Sequence, residues 1–333
     1  MTEADLRAAL APFNIDSRID AVHFKDGLVQ LSLRATREDA ARLEPLRRDM
    51  EARLKALSGV QAATIIFTSH TPAPKAQAAE LASVPGITHV VAVSSGKGGV
   101  GKSTVAVNLA VALAQSGLKT GLLDADIYGP SLPKMLGIQG SPAVVDGQMQ
   151  PLSAFGLSVM SIGFMVPQDK AMIWRGPMVM GALTQMLTQV AWGTLDVLVV
   201  DMPPGTGDAQ LTLAQKAKPS GAVIVSTPQD LALLDAKRGV QMFTQIGVKL
   251  LGMVENMSFF CCPSCGHRAE IFGHGGARAE AANLNVPFLG EIPLELAVRT
   301  AGDEGVPVVI ADPNGAVANS FRHVATQVMQ ALA

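Results

Sequence analysis

From residue 88 onward, short continuous apolar runs alternate with helical stretches: VVAVSS at 90–95, TGLLDAD at 120–126, LSVMSIG at 157–163, DVLVVDM at 196–202, GAVIVST at 221–227 and KLLGMVEN at 249–256. Strands that are apolar on both faces belong inside a parallel sheet covered by helices on both sides, so the pattern predicts an α/β fold. Ahead of it the rhythm differs. Within residues 1–70, Leu43, Leu46, Met50, Leu54 and Leu57 recur at three and four, the period of an amphipathic helix, flanked by strand-like GLVQLSLR and VQAATIIFT. Helix, strand, helix, strand is the expected order of a small α+β domain, with Pro45 starting or kinking its second helix. Between the two, TPAPKAQAAELASVPG loses every apolar period and reads as a linker, which divides the chain into 1–70, 71–87 and 88–333.

Composition sharpens this picture by exclusion. A chain of 333 residues, 48% hydrophobic and 16% charged, can bury a large core, and its net charge of -2 offers no global attraction to nucleic acid or an anionic membrane. MTEADLRAALAPF lacks a secretory signal's basic start and apolar run, and no apolar segment approaches the roughly 18 residues of a membrane span. A cytoplasmic protein with neither nucleic acid nor membrane as partner is expected. The C-terminal AVANSFRHVATQVMQALA puts Phe321, Val324, Val328 and Leu332 on one face, but Arg322 and His323 are poor material for a membrane anchor.

The strongest chemical signal follows the first apolar run. In SSGKGGVGKSTVAVNLAVALA, Gly96, Gly101, Lys102 and Ser103 fit G-x-x-x-x-G-K-[ST], with a strand before and a helix after. Glycines let backbone N–H groups turn inward around phosphate oxygens, and the helix N-terminus adds its positive dipole. Lys102 is placed to neutralise the β and γ phosphates and Ser103 to hold Mg²⁺. Lys97 is not demanded by this simple loop.

GKGGVGKST, residues Gly96, Lys97, Gly98, Gly99, Val100, Gly101, Lys102, Ser103 and Thr104, resembles the deviant Walker A of the ATPase superfamily that includes MinD, ParA and the nitrogenase iron protein. The resemblance implies a nucleotide-sandwiched homodimer in which Lys97 reaches the partner's phosphates. DADIYGPS, from Asp124, is similar to the superfamily's switch I, and DMPPGTGD, from Asp201, to its Walker B and switch II. On that matching Asp201 binds Mg²⁺, Asp126 and then Asp124 are candidates to orient the attacking water, and Gly205, Gly207 and Asp208 sense the γ-phosphate. Asn256 matches an asparagine that contacts adenine, so the resemblance selects ATP.

All three cysteines lie in FFCCPSCGHRAEIFGHGG, residues 259–276. Cys262 and Cys265 have the spacing that lets two thiolates face one ion or cluster, yet two thiolates are half of a four-coordinate site. Three readings fit: a one-chain zinc site completed by His267 and His274, a thioredoxin-like redox pair, or a Cys₄ site shared across a two-fold axis. Cys261 has no role assigned by the pattern: adjacent side chains point apart in an extended chain, and it reads as a small apolar filler.

Taken together, NMSFFCCPSCGHRAEIFGHGG, GKGGVGKST, DADIYGPS and DMPPGTGD resemble the Mrp/ApbC family of iron-sulfur cluster carrier ATPases over nearly all of residues 88–333. Residues 1–70 are similar to the small domain, related to metal-sulfur cluster assembly factors, that many bacterial members carry. The resemblance implies a P-loop NTPase with ATP and Mg²⁺, a labile [4Fe-4S] cluster between the Cys262 and Cys265 pairs of a homodimer, and apo iron-sulfur proteins as acceptors. A spatial-organising ATPase and an electron-transfer ATPase are the alternatives. For an exchangeable cluster, the C-x-x-C segment is expected to be exposed or mobile.

Overall fold

The structure, a computed structural model of the chain, describes residues 3–13, 15, 19–25, 27–34, 37–57, 59–68, 84–127, 129–165 and 176–333. Most of the stretch read as a linker lies outside the described residues. Contacts divide the chain into two compact units, Met1–Glu80 and Leu81–Ala333.

In the first unit α1 (Glu3–Leu10), β1 (Ile19–Lys25), β2 (Leu28–Arg34), α2 (Arg37–Lys55) and β3 (Ala62–Thr68) surround a small core. Leu6, Leu10, Leu31, Met50, Leu54 and Ile65 fill it. The sheet order is β1-β2-β3, with β1 antiparallel and β3 parallel to β2. Two expectations change here. IDAVHFK forms an additional strand, because pairing with β2 holds a segment whose apolar positions are interrupted by charges. Helix α2 does not begin at Pro45 but runs through it, bridged by Arg47, which pairs with Glu44 at 2.6 Å and Glu51 at 2.8 Å.

The second unit opens with β4 (Ile87–Ser94), α3 (Lys102–Gln115), β5 (Thr120–Asp124) and the short α4 (Leu132–Met135). A hairpin of β6 (Val144–Val145) and β7 (Gln148–Met149) precedes β8 (Leu152–Ala154), β9 (Leu157–Ser161), α5 (Gly176–Thr188) and β10 (Leu195–Asp201). Next come α6 (Asp208–Ala217), β11 (Gly221–Ser226), α7 (Asp230–Gln245), β12 (Leu250–Cys261) and β13 (Arg268–Ala269). The last elements are α8 (Gly276–Asn283), β14 (Phe288–Leu294), α9 (Leu296–Glu304), α10 (Val308–Ala311) and α11 (Ala316–Leu332).

One sheet in the order β13-β12-β11-β4-β10-β5-β9-β8 carries the site, with β14 also on β12. All pairings from β14 through β9 are parallel; only β8 and β13 run antiparallel. Valine and leucine on both faces of β4, β10 and β11 are buried, as a sheet with helices on either side requires. Central β4 lies between β10 and β11, so the loop leaving its C-terminal end falls where open α/β sheets bind ligands. The apolar face of α11 is committed to this core: Phe321, Val324 and Val328 are fully buried, in a helix packed on α3 and β14. Each contributes roughly 1.5–3 kcal/mol there, so this face is not offered to a membrane. Among the described residues no helix is long and apolar enough to cross one.

Candidate functional site

The loop from β4 to α3 is built for an anion. Gly99 and Gly101 adopt the left-handed region, at φ 85° and 81°, which turns successive peptide N–H groups to one side. A Cβ on Gly98 or Gly99 would meet nothing within 4 Å, because both border an open cavity. Gly101 caps α3 without any side-chain acceptor, leaving the helix's first N–H groups for a ligand. The cavity, about 280 Å³, is lined by Lys97, Gly98, Lys102, Ser103, Asp126 and Pro204, among others. The structure brings Lys97 to its wall, half-buried.

Lys102 is the electrostatic centre. Its buried Nζ lies 2.5 Å from Asp201 Oδ1, 3.3 Å from Ser103 Oγ and 3.7 Å from Asp126 Oδ2. Burial pushes the Asp201 carboxyl up while the Lys102 ammonium pulls it down. The second oxygen, Oδ2, is buried and has no hydrogen-bond partner among the described residues. A buried orphaned carboxylate oxygen beside a serine hydroxyl and a phosphate-binding loop fits Mg²⁺ held with its own water.

The two candidate aspartates of switch I part company. Asp124 ends β5, in register with Asp201 on β10, and is fully buried. Its oxygens accept from Ser161 Oγ at 2.9 Å, Asp126 N at 3.1 Å and Leu132 N at 3.3 Å, so it ties β9 and α4 to the sheet. Burial, with the charge of Asp201 second, pushes its carboxyl up to about 7. Asp126, two residues on, lines the cavity.

Asn256 sits under the loop rather than at a turn's surface: buried on β12, its Nδ2 donates to Val100 O at 2.8 Å. It also lines a second cavity of about 340 Å³, which shares Gly101, Thr104, Ser131 and Met135 with the first. Met135, Met257, Pro293, Leu294 and Val298 give this cavity apolar walls suited to a flat base. The switch II segment reaches back to the loop through Gly205 N–H, which donates to Ser95 O at 2.9 Å.

Sequence reasoning missed Ser131, which lines both cavities and whose buried hydroxyl has no partner among the described residues. It missed Met257, Pro293 and Leu294 as well. No local spacing could have found the last two, since β14 meets β12 only through the sheet.

The cysteines lie on a hairpin off the far end of β12, which runs on to Cys261, well past the expected end at 256. Cys261 pairs with Arg268 of β13; Cys262 N–H donates to His267 O at 2.9 Å and Gly266 N–H to Cys262 O at 2.8 Å. Cys262 is half-buried and Cys265 exposed. The backbone N–H groups of Ser264 and then Cys265, aimed at the Cys262 sulfur, hold its thiol below the ordinary range.

His274 is not brought to the cysteines. Its Nε2 lies 2.7 Å from an Arg268 nitrogen and 3.1 Å from Glu291 Oε2. Among the described residues no group of three or more His, Cys, Asp and Glu side chains could hold a metal ion. No helix opens at Cys262 either, since α8 begins only at Gly276, so the helix that a thioredoxin-like pair uses is not there.

Comparison with known proteins agrees with this geometry. The family described as ParA: NUBPL iron-transfer P-loop NTPase matches residues 86–329. An iron-sulfur cluster carrier protein of Synechocystis sp. is 46% identical over 332 residues, covering 98% of this chain and 93% of its own. The mouse iron-sulfur cluster transfer protein NUBPL is 51% identical over 252 residues, 75% of this chain and 79% of its own. Among solved structures, a nucleotide-binding protein from Archaeoglobus fulgidus in complex with ADP aligns with TM-score 0.62 at 42% identity, covering 71% of this chain and 92% of that one. The cell division ATPase MinD of Pyrococcus furiosus, at 22% identity, TM-score 0.57 and coverage of 73% and 99%, shares the fold. A phosphate-binding loop, a carboxylate-braced lysine and a paired-cysteine hairpin on one mostly parallel sheet are thus found in a chain that belongs to the Mrp/NUBPL iron-sulfur cluster carrier family of P-loop NTPases, related to the MinD and ParA ATPases.

Proposed function

We propose that this chain is an ATP-hydrolysing carrier that assembles a labile [4Fe-4S] cluster between two copies of itself and passes it to apo iron-sulfur proteins. The observation that carries the reading is the hairpin: Cys262 and Cys265 stand at the surface with no third ligand of their own chain among the described residues. A cubane cluster takes four thiolates, and a two-fold axis doubles the pair. The exposed position suits cargo that must leave.

In this reading the loop N–H groups and Lys102 hold the triphosphate, and Lys97 reaches across to the partner's phosphates. Ser103 and Asp201 hold Mg²⁺, which supplies charge neutralisation between the β and γ phosphates. Asp126, at the cavity wall and within the field of Lys102, orients the attacking water, while buried Asp124 shapes the loop that presents it. Asn256 and the apolar cavity beside it receive the base, and Gly205, Gly207 and Asp208 respond to the γ-phosphate. The homodimer, its cytoplasmic setting and the role of residues 1–70 as an assembly-factor-like domain belong to the same proposal.

Anaerobic iron-sulfide reconstitution of wild type and Cys262→Ser, with iron and labile sulfide counted per chain, tests it. About two irons per chain in dimers, lost in the variant, is the expected result. Stoichiometric zinc in the protein as isolated, unmoved by iron, would sink the shared-cluster reading.

A further inference from the structure

Asn256 and Cys262 lie on one continuous stretch of chain, six residues apart, a span of at most about 20 Å at about 3.3 Å per residue. No residue from Cys261 to Ala269 lines either cavity. Whatever links the two sites must be carried by the protein between them.

The strand itself is a poor rod. Its pairing with β14 slips between Asn256 and Phe260, and Met257 inside that slip adopts φ 55°, a left-handed conformation unusual for a side chain of its size. A bulge of this kind absorbs small displacements. A second route avoids it.

Glu255, the neighbour of Asn256, is fully buried, and its carboxylate is satisfied on three sides. Oε1 accepts from Ser258 Oγ at 2.6 Å and Gly275 N at 2.9 Å, and Oε2 from Ala277 N at 2.7 Å. The last two donors belong to the start of α8, where a carboxylate also meets the positive end of the helix dipole. His274, immediately before them, holds Arg268, and Arg268 stands over the Phe259 ring at 3.7 Å and pairs with Cys261 in the hairpin ladder. Charge-assisted bonds of this kind are short and directional, so a shift of Glu255 moves the α8 start and the hairpin base together.

We infer that Glu255 is a positioning residue that couples the nucleotide pocket to the geometry of Cys262 and Cys265, through Gly275, Ala277, His274 and Arg268. Its trigger is the Asn256 amide, which donates to Val100 O and also lines the base cavity. A bound base offers that amide a second set of partners. The inference rests on the reading above that the cavity takes a nucleotide and the hairpin takes the cluster.

The test needs no iron. Alkylation rates of Cys262 and Cys265, read separately by peptide mass spectrometry, are measured in the full chain with and without saturating MgADP. In wild type MgADP is expected to change them roughly fivefold. In Glu255→Gln and in His274→Ala the change is expected to fall below about twofold while the MgADP dissociation constant stays within about threefold. His274 is a third exposed, at 29%, so that variant decides the matter if Glu255→Gln fails to fold. Wild-type thiols indifferent to MgADP, or a full response surviving in a folded variant that binds MgADP, overturns the coupling. Absence of cluster on reconstitution with the thiol response intact overturns the carrier reading alone.

Discussion

Lys102 Nζ stands 2.5 Å from Asp201 Oδ1, and both side chains are buried, so the cation that serves phosphate is already engaged by a carboxylate of its own fold. In the proposed function an incoming triphosphate competes with Asp201 for that ammonium, and Asp201 turns toward the metal. The first prediction follows from what each partner leaves behind. Lys102→Ala strands a buried carboxylate and is expected to cost about 3 kcal/mol of stability besides abolishing ATP hydrolysis. Urea denaturation without nucleotide checks the first part; a variant as stable as wild type would mean that the pair does not brace the site.

Asp126→Ala is expected to lower kcat by roughly a hundredfold or more while leaving MgADP affinity within a few-fold, because its carboxylate lines the cavity without building the sheet. Steady-state phosphate release and nucleotide titration separate the two effects. If Asp124→Asn rather than Asp126→Ala gives that signature, the roles of the two are reversed.

Asp124 makes stability depend on pH. Its carboxyl is raised from 3.8 to about 7 in the folded chain, so the folded state binds more protons across that window. Its contribution is therefore complete below pH 3.8 and is lost as pH rises through about 7. Stability should fall with a slope of at most about 1.4 kcal/mol per pH unit, and Asp124→Asn should flatten it. Denaturant midpoints at pH 5 and pH 8 for the two proteins give the answer; identical slopes would count against a proton on Asp124.

Gly101→Ala combines two costs. At φ 81° a side chain is strained, and a Cβ there would drive into Asn256 Nδ2. About 1–2 kcal/mol of stability should be lost from the backbone alone, with a larger loss of nucleotide affinity as Asn256 is displaced. Calorimetric titration with MgADP reads it, and an unchanged affinity would show that the loop tolerates the shift.

Cys261→Ser should keep full cluster content on reconstitution, unlike either Cys262→Ser or Cys265→Ser. Cys261 is the last strand residue, paired with Arg268, whereas the other two flank the turn. Iron counts for the three variants compare them directly, and loss of cluster from Cys261→Ser would make it a ligand.

The sequence made the central sheet legible because its six apolar runs are long, β-rich and buried on both faces. It did not reveal β1, whose apolar positions are interrupted by charges, β13, which is only two residues long, or β14, whose partner β12 lies more than twenty-five residues back in the chain. The phosphate loop was legible from spacing alone, since its chemistry depends on backbone shape. Asp124 and Asp126 could not be told apart two residues apart in one loop; the end of β5 buries the first and turns the second to the cavity. Glu255 gave no signal, because two of its three partners lie some twenty residues on, at the start of α8.

The N–H groups aimed at the Cys262 sulfur have a consequence for the carrier between deliveries. A thiol held below its ordinary range is more often thiolate near neutral pH, and thiolates are what peroxides attack first. In the proposed function the geometry that suits Cys262 to iron also leaves an empty hairpin open to sulfenylation by a peroxide, with exposed Cys265 close enough in sequence to resolve the product as a disulfide. Time spent without cargo is time at oxidative risk, and prompt reloading protects the protein as well as its clients.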